Sequence, residues 1–516
     1  MNVGQHSITL AMTEHVDRKN SLSRWWPALI LLSIVPLLYP AVPPLTDLPA
    51  HMSRFLVQMD AGRSPDIARW YGFHWNLIPN LGTDLLAWVL EPVLGLEPTM
   101  KAIATLIVAL QTAGYLLLSR AAHGRVQAPA LFALPLAYGY PFQYGFINFT
   151  FATALATLAV ALWISPPMAA RPVLRWLVFC PIACVIWISH LAGWAILCVM
   201  IGCCELAARH ERTGRLWKSV ASGFIAASCL LLPQALSLLW PDAPAHMPSA
   251  GFFLIPEKLY FLANVLNDRW AVLDVGSALL LAALIYVIWR SRSFALHRGL
   301  ALTAIVLFVL FWLMPAWVMG SFYADMRLTP TIFAMAVIAA KPKLPTTRLR
   351  WLALAGLAFF CIRLAGTTTS MMLWDKQFRQ ELAVLDKLPH GSQLVSFSAI
   401  ECRPFVLQGR LRDMHIASFA LTRRHAFAND QFALSGGQLL QIHNPAAGAF
   451  DRDPSSIQTG EPCQGSIPIR DSAAKVPAAI PHLWVVWHSM ESHLPGWAVL
   501  TRSGNSVLYR RSPSLN

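Results

Sequence analysis

Between residues 25 and 369 one apolar run follows another, separated by short basic or turn-rich segments. A helix needs about 20 predominantly apolar residues to cross the hydrocarbon core of a bilayer. By that ruler the runs predict eleven spans, at 25–42, 99–118, 128–141, 147–165, 175–189, 192–208, 219–240, 272–289, 300–318, 328–340 and 351–369. With no water inside a bilayer, backbone polar groups must be satisfied within the segment itself, so long apolar runs of this kind select a helical bundle. The run 175–208 is divided at Ser189–Gly193. One uninterrupted helix there would put the basic loops around Arg171 and Arg209 on opposite sides and invert everything downstream. A chain that is 56% hydrophobic and 13% charged is also too apolar for a soluble protein.

The +14 formal charge does not mark a nucleic-acid binder, because the basic residues fall between apolar runs and form no single patch. They act instead as orientation determinants. The segments assigned to the cytoplasm hold eighteen Lys and Arg, including Arg18, Lys19 and Arg24 before the first run, whereas the outer loops before residue 370 hold six. By the positive-inside rule this threefold bias predicts a cytoplasmic N-terminal segment (1–24) and a transmembrane domain (25–370) with outer loops at 43–98 and 241–271. It also places the C-terminal domain (371–516) outside. The first run has no small-residue cleavage site and further spans follow it, so it reads as a retained helix.

The first outer loop contains 48–60 and 81–94, whose apolar residues recur at helical spacing, as in amphipathic helices lying at the interface. With the second outer loop they are expected to form a roof over the helices. Beyond residue 371 charge and turn residues rise, and short β-like runs appear at Gln393–Phe397, Leu483–Val486 and Ser506–Tyr509, predicting an α/β or α+β domain with a core of its own. Seven of nine cysteines lie in or beside apolar runs, where thiols behave as small hydrophobes. Cys402 and Cys463 are the two in the exported domain and form a candidate disulfide.

Chemistry is expected near Asp47. A carboxylate beside a membrane is costly unless solvated or paired, and a helix starting near Leu48 would bring Asp47, His51 and Arg54 roughly onto one face. Asp47 can then take a proton from an acceptor hydroxyl while Arg54 holds an anionic leaving group. The plainer reading is a helix cap, with Pro49 in the first turn. Arg327, in the segment GSFYADMRLTP, is a candidate phosphate ligand at headgroup depth, set against a local ion pair with Asp325. Lys258 and Arg269 are further phosphate candidates in the second outer loop. His74, Asp84, Asn148 and His190 are secondary candidates. Asp84 is also explained as a first-turn carboxylate, and His190 as a capping or packing residue. No phosphate-binding loop, Cys/His metal pattern or nucleophile elbow is present, and the cofactor and metal assignments stay open.

The order of parts resembles the GT-C superfamily of membrane glycosyltransferases, chiefly over residues 25–165. There one span is followed by a long outer loop with an early acidic residue (Asp47), then the amphipathic piece NLGTDLLAWVLEPVLGLEP and a span with a basic end. The RLTP at 327–330 resembles the Arg-x-x-Pro segment before the last helices of that superfamily, and DLPAHMSR with YGFINF looks like uncharacterised bacterial members. The resemblance implies a multi-pass protein of the bacterial inner membrane with a periplasmic C-terminal domain. Its implied activity is transfer of a sugar from a polyprenyl-phosphate-linked donor to a lipid, glycan or protein acceptor. The departure is at YPFQYGFINF, where members often carry a second acidic residue and this chain offers Asn148. A transporter or lipid exporter, or a non-catalytic platform displaying the C-terminal domain, are the alternative expectations.

Overall fold

The computed structural model describes residues 22–238, 249–318, 320–402, 412–433, 437–451, 458–460, 462 and 466–512. Nearly all of the expected N-terminal segment 1–24, the stretch 239–248 of the second loop, and Cys463 lie outside the described residues. Cys402 is disulfide-bonded.

Among the described residues, six helices are long and apolar enough to cross a membrane: Leu96–His123, Pro172–Ser189, Leu191–Thr213, Leu216–Ser237, Ala271–Arg290 and Thr346–Lys387. Shorter apolar helices run over Ile147–Trp163, Arg298–Leu313 and Met326–Ile338. Three of the expected spans are not single α-helices; in 219–240 a 3-10 turn at Ser228–Leu231 separates Leu216–Ala227 from Leu232–Ser237. Residues 25–42 divide into Leu22–Ser33 and Val35–Leu38, with a proline at the start of the second piece. Residues 128–138 form a 3-10 helix in which every residue is buried. Pro129 and Pro135 each remove a backbone donor there, which disfavours a regular α-helical ladder. The chain breaks at His190, an extended residue (φ −169°, ψ 129°) whose side chain accepts from Ala192 N at 3.1 Å and so caps Leu191–Thr213. Small residues let helices approach closely: a Cβ on Gly114 would sit 3.1 Å from Thr157 Cγ2.

The C-terminal region builds a six-stranded sheet in the order Ile467–Pro468, Gln458–Thr459, Leu394–Ile400, His482–Trp487, Ser506–Arg511, Trp497–Ser503. The first four strands are parallel and the last two pairings antiparallel. Every residue of His482–Trp487 is buried, as befits a central strand covered on both faces. The apolar core of this region is not made by the tail alone. Val57, Ile67, Trp70 and Tyr71 from the first long connection pack into the same cluster as Leu483, Val485 and Phe397. Tyr71–Phe73 pairs antiparallel with Leu440–Ile442, and the Tyr71 hydroxyl donates to Ala428 O at 3.0 Å.

Arg412 holds the two regions together. Its fully buried guanidinium donates to Pro44 O (2.6 Å) and Gln143 Oε1 (2.9 Å) and pairs with Asp268, which also accepts from Ser370. Asp268 N in turn donates to Asp274 Oδ2 at 2.9 Å, and Asp274 pairs with Arg363 at 2.8 Å. A buried ion pair is stable only when its remaining valences are met, and this chain of contacts meets most of them.

Candidate functional site

Helix Leu48–Asp60 starts where the chain leaves its first apolar run, and Asp47 sits at its N-cap with a proline in the first turn. The carboxylate makes no capping hydrogen bond, so it is not spent on the helix end. Its backbone is fixed from the other side, with Asp47 N donating to Tyr144 O at 2.9 Å. This approach depends on Gly145, at φ +97°, where a Cβ would lie 2.7 Å from Asp47 N and 3.0 Å from Leu48 N. Gly145→Ala is expected to cost about 1–3 kcal/mol, through the left-handed backbone and the clash together. Thermal unfolding of the purified variant measures this.

Asp47 faces a cavity of about 230 Å³, also lined by His51, Asn148, His190 and Arg327. Five of the residues singled out from the sequence thus surround one hollow. Its other wall is supplied by the C-terminal region through Gln431, Phe432, Ala433 and Gln438. His415, from the same region, places Nε2 3.7 Å from Asp47 Oδ1. Its Nδ1 lies 3.0 Å from Asp430 O, a carbonyl that can only accept, so that nitrogen carries a proton. These tail residues carry no local pattern in the sequence.

Arg327 opens the helix Thr329–Ile338 from a preceding 3-10 turn. Its expected neighbour Asp325 is not its partner. Asp325 Oδ2 takes Lys258 Nζ at 2.7 Å, and the same ammonium donates to Phe311 O (2.7 Å) and Met314 O (2.8 Å), capping the helix Arg298–Leu313. Lys258 is therefore a buried strut with its donors committed inside the protein, and it does not line the cavity. The exchange leaves the Arg327 guanidinium without a carboxylate at ion-pair distance among the described residues. It is held by Ser321 Oγ (2.8 Å) and Phe322 O (3.2 Å), and its Cζ lies 4.2 Å from the Phe146 ring centroid. The Asp47 charge acts on it electrostatically.

His190 Nε2 stands 3.2 Å from Arg327 Nη1. Burial, with the Arg327 charge adding to it, holds the imidazole well below its ordinary pKa, so the ring is neutral near pH 7. Arg327 Nη1 can only donate, so Nε2 accepts at this contact and the imidazole steadies the guanidinium. Arg327 is thereby a fixed cation at the cavity wall, an arrangement suited to an anionic oxygen.

Arg54 does not face the hollow. It pairs with Asp84 Oδ2 at 3.0 Å, both side chains being almost fully buried, and donates to Gln438 Oε1. Burial pushes the Asp84 carboxyl up against the pull of Arg54, and pushes the Arg54 guanidinium down. The pair is thus a costly internal brace. Arg54 Nη2 also lies 3.3 Å from His51 Nδ1, and burial together with this cation depresses the His51 pKa. Asn148 takes the place next to Asp84. Its Nδ2 donates to Asp84 Oδ2 (3.2 Å) and Asn80 O (2.8 Å), while Oδ1 accepts from Thr83 N (2.6 Å) and Thr83 Oγ1 (2.7 Å). The amide thereby caps helix Gly82–Leu94 from a distant helix. Arg269 stacks on Trp374 with its Cζ 5.1 Å from the ring, and His74 is exposed; neither lines the cavity.

A smaller hollow of about 30 Å³, with Ile107, Leu136 and Phe142 in its walls, shares Arg327 and Phe149 with the main cavity. The polar site therefore adjoins an apolar one between the helices.

Among solved structures, the chain is similar to ArnT from Cupriavidus metallidurans, whose crystal structure is bound to undecaprenyl phosphate. The likeness has 13% sequence identity and a TM-score of 0.49, and covers 95% of this chain and 97% of that one. No protein-family model and no curated protein matches the sequence.

Proposed function

We propose that the protein is an inverting glycosyltransferase that moves a sugar from a polyprenyl-phosphate-linked donor to a hydroxyl of a lipid, glycan or protein acceptor. The reaction takes place at the outer face of a bacterial inner membrane, with the N-terminus cytoplasmic and the C-terminal region periplasmic, as the charge bias of the loops supports. The observation that carries the reading is the buried Arg327, with no carboxylate at ion-pair distance among the described residues, lining the same cavity as Asp47.

Asp47 takes the proton from the acceptor hydroxyl as its oxygen attacks the anomeric carbon. The bond from that carbon to the phosphate oxygen breaks, and the electron pair leaves with the polyprenyl phosphate. Arg327 receives the leaving phosphate, whose negative charge grows along the reaction, so its attraction is greatest at the transition state, and His190 Nε2 holds the guanidinium in place. His415 Nε2, beside Asp47 Oδ1, keeps the accepted proton within the site. Arg54 and Asp84 act behind this set by fixing His51 and Asn148.

Binding of polyprenyl phosphate to Arg327→Ala tests the reading. Loss of a hydrogen-bonded cation is expected to weaken affinity by about 10- to 100-fold, while Asp47→Asn should bind the lipid as the parent protein does. Unchanged affinity in the Arg327 variant would remove the phosphate role and, with it, this assignment.

A further inference from the structure

Away from the cavity, Asp66, His390 and His425 bring one carboxylate oxygen and two imidazole nitrogens within 4.8 Å of one another. Asp66 lies on the short helix Pro65–Ala68, His390 on the turn leading into Leu394–Ile400, and His425 at the C-terminal end of Ser418–Arg424. His390 Nδ1 is 3.1 Å from Asp66 Oδ2, and the two imidazole centroids are 4.6 Å apart. Gly391 lets the carboxylate in, since a Cβ there would lie 2.8 Å from Asp66 Oδ1. Gly391 N donates to Arg424 O at 2.8 Å, which binds the His390 turn to the residue before His425. His425 itself holds φ 49°, a region where glycine or asparagine is the usual occupant.

We propose that Asp66, His390 and His425 bind a divalent transition-metal ion of the zinc type. Two imidazoles and one carboxylate are borderline donors that suit zinc and its first-row neighbours better than magnesium or calcium, which prefer all-oxygen shells. With metal–ligand bonds of about 2.0–2.2 Å, tetrahedral donors stand roughly 3.4 Å apart, so side-chain rotations of about an ångström from the present spacing complete the set. The Asp66 and His390 side chains are 49% and 55% exposed, which leaves the fourth position open to water. The ion would clamp the first long connection, which carries Asp47 and His51 upstream, to the C-terminal sheet. An ordinary exposed Asp–His pair with a second histidine tilted against it is the competing account, and the two differ in metal uptake.

The full-length, untagged protein in lipid nanodiscs is stripped with chelator and titrated with zinc alone and with cobalt(II) alone. One equivalent should bind with a rise in unfolding temperature, and cobalt should give the visible absorption of a low-coordinate nitrogen–oxygen site. Outer-shell changes at metal sites cost about 10–100-fold in affinity, so His425→Gly, which suits the backbone there, and Asp66→Asn should each lose at least that much. The proposal is overturned if the parent protein takes up no metal, or if its uptake and thermal gain persist unchanged in His425→Gly. Neither readout depends on sugar transfer.

Discussion

Asp47→Asn should lower sugar transfer by about 10²–10⁴-fold, the usual contribution of a positioned general base, while leaving polyprenyl phosphate affinity as it was. The substitution keeps the shape of the side chain and leaves the Asp47 N to Tyr144 O hydrogen bond untouched. The carboxylate does not cap its helix, so the helix start does not depend on its charge. Activity is measured as incorporation of sugar from the lipid-linked donor into membrane glycans, with thermal unfolding as the control. Full transfer by a folded variant would exclude Asp47 as base.

The second large effect concerns stability. Arg412→Ala should destabilise the protein by about 3–5 kcal/mol, because it strands the Asp268 carboxylate in a buried position. Pro44 O and Gln143 Oε1 lose their donor at the same time. Pro44 is three residues from Asp47 and Gln143 lies on the turn that delivers Tyr144 O, so the variant should also lose transfer as the cavity opens. The combined Arg412→Met and Asp268→Leu change removes both charges and should recover much of the loss. Denaturant unfolding in detergent micelles distinguishes the two. A loss below about 1 kcal/mol for Arg412→Ala, the scale of an exposed pair, would show that this contact does not bind the two regions.

The sequence made the helical character of the chain and its break at His190 legible, because length, hydropathy and polar interruptions act locally. It also pointed to Asp47, His51, Asn148, His190 and Arg327, which lie between or at the ends of apolar runs where polar groups are expensive without a purpose. What it concealed was pairing at a distance. Asp325 and Arg327 are neighbours in sequence, yet residues two apart on a helical turn do not face one another, and Lys258 takes the carboxylate instead. Arg54 looked available until Asp84 met it across 30 positions. The 3-10 segment 128–138 has the hydropathy of an α-helical span, and only its prolines distinguish it. The tail's side of the cavity, with Gln431, Phe432, Gln438 and the nearby His415, has no periodicity or motif to mark it.

The ribbon joining Tyr71–Phe73 to Leu440–Ile442 sets an order of events during biosynthesis. At roughly 5–20 residues per second, the early strand must wait on the order of tens of seconds for its mate to be translated. Through that interval Ile67, Trp70 and Tyr71, buried in the finished protein, remain uncovered. Assembly of the site therefore belongs to the end of translation, and a chain stalled before residue 440 would display a sticky, half-built edge to proteases and holdase chaperones.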